Sequence, residues 1–451
     1  MPERIRLFLE EIGTQIRWKR ARPVLLGELE THAEEQLAAC LEEGLSQEEA
    51  ELETLRQLGD PVEIGQQLDE LHRPKPQRGL LILTGCLVLA GVLMQLTLLG
   101  SRDAAKWLLF TALGFGALFA GYLTDVRQLV RHSDWLLISA LVLWLLLYAA
   151  SPTINHVAYY AGYVTMLYPA LYGLLLCRLR RNGWQGFIIA TLWLVPLAIS
   201  ICLVPRILDL TALLATAGLL LLTAAWDDWF CIGRRKGMTA VCGLGGLLAF
   251  WIFALLVRGY GLQRLTIALH PQQDPQGSGY MGSVIRSALE GSRLWGPGEM
   301  TGRWAGMDYW QIMPESATDA FLVSVIHQLG WLPLLLLVCG LLALMGWAAG
   351  KCLRQKNAPA RPFVLAILTM FGVRICMSLL LTGGVVVLGG FCPLLKMSAE
   401  TVLQMGLMGL LLAVFRQETL PFPGVVCQPH PARGHWKLVY VPSEQDMEAS
   451  E

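Results

Sequence analysis

From Gly79 onward the chain is a succession of apolar segments, and no other feature constrains its fold as strongly. About ten of them approach the ~20 residues that a helix needs to cross hydrocarbon. They centre on residues 80–100, 105–124, 134–151, 157–177, 185–204, 207–225, 237–257, 319–349, 362–388 and 398–415. Hydrocarbon offers no partner for a backbone amide, so segments of this kind cross as helices, and the expected fold is an all-α polytopic membrane protein. Composition agrees, since 54% of the residues are hydrophobic and only 16% charged, against about a quarter charged in soluble domains. The net charge of zero gives no argument for nucleic acid. Eleven cysteines are scattered without a CxxC pair, which speaks against a disulfide framework or a zinc site. Cys427, His430 and His435 cluster in the tail, at a spacing unlike that of zinc ligands.

The first 75 residues differ from the rest of the chain. They are charged and helical in pattern, so the first membrane segment is expected to be internal and uncleaved. Within "GLSQEEAELETLRQLGDPVEIGQQLDEL", Ser46 and Glu49 form a capping box and Gly59 closes the helix. Asp60 then caps the next helix, with Pro61 at its first position. Leu52, Leu55 and Leu58 recur at helical spacing, as in a small bundle. The expected organisation is a cytoplasmic helical domain over 1–75, a membrane domain over 79–416 and a tail over 417–451. "RPKPQR" (Arg73 to Arg78) is the stiff basic linker into the first span.

Basic residues orient the spans. With the N-terminus inside, Arg127, Arg131, Arg178, Arg180, Arg181, Arg234, Arg235, Lys236, Lys351, Arg354, Lys356 and Arg361 all fall in cytoplasmic loops. The short outer loops then hold only Arg102, Lys106, Arg206 and Lys396. Both termini are accordingly expected in the cytoplasm. One outer loop, 259–318, is long and rich in Gly, Trp and polar residues, which favours an ordered interfacial cap. The segment after it exceeds the length of a perpendicular span, so its first turns are expected at or above the headgroups.

Those first turns carry acids in "MPESATDAFLVSVIHQLG", Met313 to Gly330. Asp319 has two readings. With Ser316 it resembles a capping box, and acids favour a helix's first turn. A carboxylate beside low-dielectric surroundings is also a candidate general base. Glu315 shares this ambiguity. His327 and Arg374 lie within apolar segments, where an ionisable group marks function or must find a partner by packing. Asp209 opens the sixth segment and reads most simply as a cap.

The chain also resembles a known family. "LVRGYGLQRLTIALHPQQDPQGSGYM", Leu256 to Met281, is similar to the signature of the FtsW/RodA/SpoVE proteins of shape, elongation, division and sporulation, through Tyr260, Arg264, Pro271, Asp274, Pro275, Gly279 and Tyr280. "SALEGSRLWGPG" follows the family's glycine pattern, with Glu290 in place of the first glycine. "MPESATDAFLVSVIHQLG" matches in register at Pro314, Glu315, Thr318, Asp319, Leu329 and Gly330. Asp209, Leu210, Thr211 and Ala212 echo a further motif. The resemblance spans residues 79–416 and is specific from about 205 to 332. The N-terminal segment resembles the helical prefix domain found ahead of some bacterial permeases, on "GLSQEEA" and "LGDP". Several family motifs are altered: the glutamines of "GYQ..QS" are lost in "GYMGSVI", "NIGM" becomes "RICM" at Arg374, and "LPF.SYGGSS" becomes "CPLLKMSAET".

The resemblance implies a peptidoglycan glycosyltransferase of the bacterial cytoplasmic membrane. Its substrate would be lipid II, polymerised at the outer face, and its partner a class B penicillin-binding transpeptidase. Asp319 matches the family's essential aspartate and would act as base. Arg264 is a candidate for the diphosphate, with headgroup anchoring as the alternative. Glu315 and Tyr280 complete the candidate substrate site, although an aromatic such as Tyr280 also suits seating the loop among membrane lipids. A divalent cation is a candidate for neutralising the diphosphate, but the sequence carries no dedicated ligand cage and implies no other cofactor. Two further classes stay open. A non-catalytic cell-wall scaffold accommodates the altered motifs, and a transporter of lipid-linked precursors would use Asp209, His327 and Arg374 as its path.

Overall fold

The computed structural model describes every residue except 1, 20, 75, 101–102, 155–156, 205, 259–260, 314–318, 355–358, 386–391, 418–425, 430–435 and 440–451. The chain forms two compact units, one of residues 1–76 with 415–451 and the other of 77–414.

The first unit opens with four helices, α1 (Glu3–Gln15), α2 (Arg22–Glu42), α3 (Gln47–Leu58) and α4 (Pro61–His72). Ile5, Leu9, Ile12, Ile16 and Leu25 form its core. The punctuation is local chemistry. The Ser46 amide donates to Glu49 Oε2 at 3.1 Å, and Asp60 Oδ1 accepts from the Val62 amide at 3.1 Å. Two strands, β3 (Val426–Pro429) and β4 (Trp436–Val439), pair antiparallel in the tail segment.

The second unit is helical. It runs through α5 (Arg78–Leu99), α6 (Ala104–Leu123), α7 (Val126–Arg131), α8 (Ser133–Ala150), a minimal hairpin of β1 (Thr153–Ile154) and β2 (Val157–Ala158), α9 (Ala161–Thr165) and α10 (Tyr168–Arg178). It continues with α11 (Gly183–Leu203), α12 (Ile207–Trp226), α13 (Arg234–Arg258) and α14 (Gly261–Leu269). The remaining helices are α15 (Tyr280–Glu290), α16 (Tyr309–Ile312), α17 (Phe321–Leu329), α18 (Trp331–Arg354), α19 (Arg361–Thr382) and α20 (Ala399–Arg416). Among the described residues, nine helices are long and apolar enough to cross a membrane.

The expected fourth segment, 157–177, is not a single helix. It is divided into α9 and α10, and Tyr168 and Tyr172 on α10 are fully buried against α8, α12 and α19. A helix enclosed on all sides needs no lipid-facing surface, so it can be short. The opposite case is α13, whose Phe250, Trp251 and Phe253 are all exposed, as suits a helix bathed in hydrocarbon. Lipid tails are as apolar as leucine, so helix association in such a bundle rests on packing and polar contacts rather than on hydrophobic burial.

The eighth segment is likewise broken, between α17 and α18. Gly330 sits at the break with φ +100°, and a Cβ there would lie 2.6 Å from the Leu294 carbonyl oxygen. A break leaves amides and carbonyls without helical partners. A loop of the cap supplies them. The Gly296 and Gly298 amides donate to the Leu329 and His327 carbonyls at 3.0 and 2.6 Å, and the Trp331 and Leu332 amides donate to Arg293 and Leu294, both at 3.1 Å. The 270–313 cap is therefore ordered and stitched to the helix break. Its core gathers Val284, Ile285, Ala288, Tyr309 and Ile312 with Ala320 and Val323 at the start of α17 and Leu381 of α19.

Candidate functional site

Asp319 lies in a turn just ahead of α17, half-buried. The helix starts at Phe321 with Ala320 as its N-cap, so Asp319 precedes the first turn instead of occupying it. Ala320 is buried in the cap core, which fixes this turn between the cap and the helix.

The strongest concentration of buried charge gathers residues far apart in sequence. Asp209, in the first turn of α12, is 1% exposed and Arg374, within α19, is 2% exposed. The Arg374 guanidinium pairs directly with Asp209 through Nη2, and its Nη1 lies 3.7 Å from Glu400 Oε2 at the start of α20. Arg206, the residue before α12, reaches the same two acids. Its Nε is 3.2 Å from Asp209 Oδ2, and its Nη2 pairs with Glu400 Oε1. Thr165, at the end of α9, donates its hydroxyl to Asp209 Oδ2 at 2.7 Å. Unpaired, any one of these ions would be prohibitively costly at this depth; assembled, they join three long helices.

Lys396 adds a third cation. It is 8% exposed and lies in the segment leading into α20. Burial pulls its pKa below the usual lysine range, the charges of Asp319 and then Glu400 push it back, and Lys106 pulls it down slightly. The surrounding backbone is held by side chains. Gln95 Oε1 accepts from the Met397 amide at 2.9 Å, and Gln404 Oε1 accepts from the Leu394 amide at 3.0 Å. Gly91 permits the approach of α5, since a Cβ there would meet the Leu395 carbonyl oxygen at 2.0 Å.

The cap residues behave differently. The Asp274 carboxylate accepts from the Gly277 and Ser278 amides at 3.1 and 2.8 Å, closing the turn before α15. Tyr280 donates its hydroxyl to the Ile312 carbonyl at 2.7 Å and meets the Trp304 ring edge-on at 5.3 Å. His327 stacks on Tyr309 at 4.7 Å, and the Tyr309 hydroxyl lies 2.9 Å from Ser324 Oγ.

Of the residues singled out in sequence, Asp319 thus lies in the turn between the cap and the start of α17. Tyr280 ties the cap together, Glu315 lies outside the described residues, and Arg264 falls on α14 with its side chain outside the description. Asp209 is an ion-pair partner rather than a cap. Arg206, Glu400, Lys396 and Thr165 are not marked by sequence pattern. Arg374 is their one signal there, because a buried arginine requires anions. The carboxylates of the cluster are already matched by guanidiniums, which does not suit a divalent cation there. Among the described residues no group of His, Cys, Asp or Glu is arranged to hold a metal, and His430 and His435 lie outside them.

Broken helices, an ordered cap and a buried charge cluster define a multi-pass membrane protein with a polar site inside its bundle. No family model matches the chain. Among curated proteins it is 26% identical over 292 residues to the probable peptidoglycan glycosyltransferase FtsW of Alteromonas naphthalenivorans, covering 62% of this chain and 49% of that protein. It is 28% identical over 183 residues to the protein of the same name from Idiomarina loihiensis, covering 39% and 41%. The chain thus spans about half the length, or less, of these relatives. Among solved structures, a chain from work on "structural coordination of polymerization and crosslinking by a peptidoglycan synthase complex" shares the fold, with a TM-score of 0.58 at 18% identity, covering 76% of this chain and 98% of that one. The chain is thus similar, at low identity, to FtsW proteins in sequence and to a chain of a peptidoglycan synthase complex in fold.

Proposed function

We propose that this protein polymerises lipid II into glycan strands, with Asp319 as the base. The observation that carries the proposal is the position of Asp319. The motif-matched acid stands ahead of the helix's first turn, between an ordered cap and a buried helix start. In the reaction, the hydroxyl of the acceptor sugar attacks the anomeric carbon of a lipid-linked donor. A C–O bond forms there as the bond to the lipid diphosphate breaks. Asp319 takes the hydroxyl proton, and the diphosphate departs as a stable anion without a general acid. One carboxylate therefore suffices, where glycoside hydrolysis uses two. The names of the curated relatives support this chemistry.

The proposed setting is the cytoplasmic membrane, with both termini inside and the cap outside. A cysteine at Gly277 should react with an impermeant reagent in intact cells, and one at Ser46 should not. The proposed partner is a class B penicillin-binding transpeptidase, in keeping with the peptidoglycan synthase complex whose chain shares the fold. Residues 1–75 are proposed as a separate cytoplasmic domain.

A second reading has its own observation. Arg374 locks Asp209 and Glu400 into ion pairs, and Arg374 and Glu400 stand where the family's motifs are altered, as a scaffold without turnover would tolerate. Purified protein incubated with lipid II, with and without a candidate transpeptidase, separates the two. Glycan strands are the expected product, and their absence under both conditions favours the scaffold.

A further inference from the structure

The basic end of the bundle, far from the cap, carries a groove between two helices. Leu222, Thr223, Trp226 and Asp227 at the end of α12 line it with Arg361 at the start of α19, and it encloses about 240 Å³. Arg361 Nη1 donates to Asp227 Oδ2 at 2.9 Å, which ties the two helix ends together. Thr223 donates its hydroxyl to the Leu220 carbonyl of its own helix at 3.0 Å. The rest of the floor is apolar. Leu219, Leu222 and Trp226 recur at helical spacing on one face of α12, all exposed, so the groove runs on as a stripe that faces hydrocarbon.

Positive charge gathers at the head of that stripe. The Arg234 guanidinium, at the start of α13, lies over the Trp226 ring, 3.4 Å from its centroid. Stacking holds the cation beside the groove and leaves the edge of its fork for an oxyanion. Arg235 and Lys236 follow, both exposed, and among the described residues no carboxylate pairs with any of the three. The junction that presents them is ordered. Asp228 Oδ1 accepts from the Gly233 amide at 2.8 Å, and the Trp229 and Phe230 carbonyls accept from the Arg181 and Gly183 amides, both at 2.9 Å. A Cβ on Gly237 would lie 3.3 Å from the Ala225 side chain, so α13 begins close against α12. Orienting the spans requires only that basic residues lie at this end. It does not require one of them to fold onto the ring that lines a groove.

We propose that this groove seats one anionic phospholipid, with its phosphate on Arg234 and Arg361 and an acyl chain along Trp226, Leu222 and Leu219. Cations at the head and an apolar stripe below call for a molecule that is anionic at one end and apolar along its length. Basic pockets between spans bind lipid headgroups in this way. A free phosphate or an acidic peptide would leave the leucines of the stripe without a partner. The seated lipid joins α13 to α19 through the two arginines. That tie acts where protein contacts are few, because α13 is the least buried of the nine candidate spans among the described residues. The proposal is independent of the polymerase reading.

Native mass spectrometry of the full chain in detergent, titrated with phosphatidylglycerol or with phosphatidylcholine of the same chains, measures the lipid retained. One phosphatidylglycerol should be held roughly tenfold more tightly than phosphatidylcholine, and Arg234→Gln with Arg361→Gln should abolish that preference. Arg235→Gln with Lys236→Gln removes as much charge close by but none from the groove, and should largely preserve it. Equal losses in the two double variants would mean diffuse attraction and overturn the seat, as would equal retention of the two lipids by the wild type. If the first double variant does not fold, Arg234→Gln alone decides. Its side chain is exposed, so the fold should survive, and affinity for phosphatidylglycerol should fall about threefold or more. An unchanged affinity would overturn the proposal. Glycerophosphoglycerol, the same headgroup without chains, and inorganic phosphate should not displace the lipid at millimolar concentration. Displacement by either would make this a site for free phosphate and overturn the assignment to lipid.

Discussion

The cap and the charge cluster solve different problems with different chemistry. The cap is built from one stretch of chain and held by neutral or backbone hydrogen bonds: Tyr280 to Ile312, Gly296 and Gly298 to the end of α17, Asp274 to its own turn. The cluster is built from residues 165 apart for Asp209 and Arg374 and 194 apart for Arg206 and Glu400, and it is held by charge. Neutral hydrogen bonds each contribute ~1 kcal/mol net, so the cap can lose one and persist. A buried ion cannot lose its partner so cheaply. Shape is distributed over many weak local contacts, whereas the polar interior depends on a few strong distant ones.

Breaking the cluster should therefore have the largest effect. Arg374→Leu leaves the buried Asp209 and Glu400 to share Arg206 alone and should cost ~3–5 kcal/mol, seen as a large fall in melting temperature in detergent or as loss of folded protein. Replacing Asp209 as well, in Asp209→Leu with Arg374→Leu, should recover part of that loss, because neither buried charge of the pair remains. A double variant as unstable as the sum of its parts would mean that the two residues do not act as a pair.

The cap should respond more mildly. Gly330→Ala imposes a Cβ on a backbone at φ +100° and 2.6 Å from the Leu294 oxygen, for an expected cost of ~1–3 kcal/mol. Tyr280→Phe removes one hydroxyl donor and leaves a carbonyl, at about 1 kcal/mol.

The N-terminal helices supply a third case, a carboxyl governed by burial alone. Burial raises the pKa of Glu28 to about 7. The folded state therefore holds a proton that the unfolded chain has released. Stability from this source is full below about pH 4.5 and is lost as pH rises through 7. Glu28 is partly exposed, so the effect should be modest, on the order of 1 kcal/mol. Circular-dichroism melts of residues 1–76 should show a decline over that window, and Glu28→Gln should flatten it.

Much of the fold is written in local pattern. Apolar length marks the spans, and the Ser46 and Asp60 caps mark helix ends through neighbours two or three residues away. What local pattern misses is enclosure. Nothing in the sequence of 157–177 says that other helices will surround it, although Pro169, in the first turn of α10, is a local signal for a helix start. The same limit applies to the site. Asp319 stands out because it sits in a contiguous motif, and Arg374 because charge inside an apolar run is anomalous. Lys396 and Glu400 look like ordinary loop and helix-start charges until tertiary contacts bury them.

Strand synthesis and thermal melting, measured side by side for Asp319→Asn and Tyr280→Phe in the same detergent or bilayer, test the central claim most directly. Asparagine keeps the size of aspartate but removes its charge, and with it the capacity to act as a base. If Asp319 is the base, Asp319→Asn should stay folded while lipid II polymerisation falls ~10²–10⁴-fold. Tyr280→Phe should instead melt earlier and polymerise at nearly the wild-type rate. An Asp319→Asn protein that still makes glycan strands at wild-type speed would contradict the account.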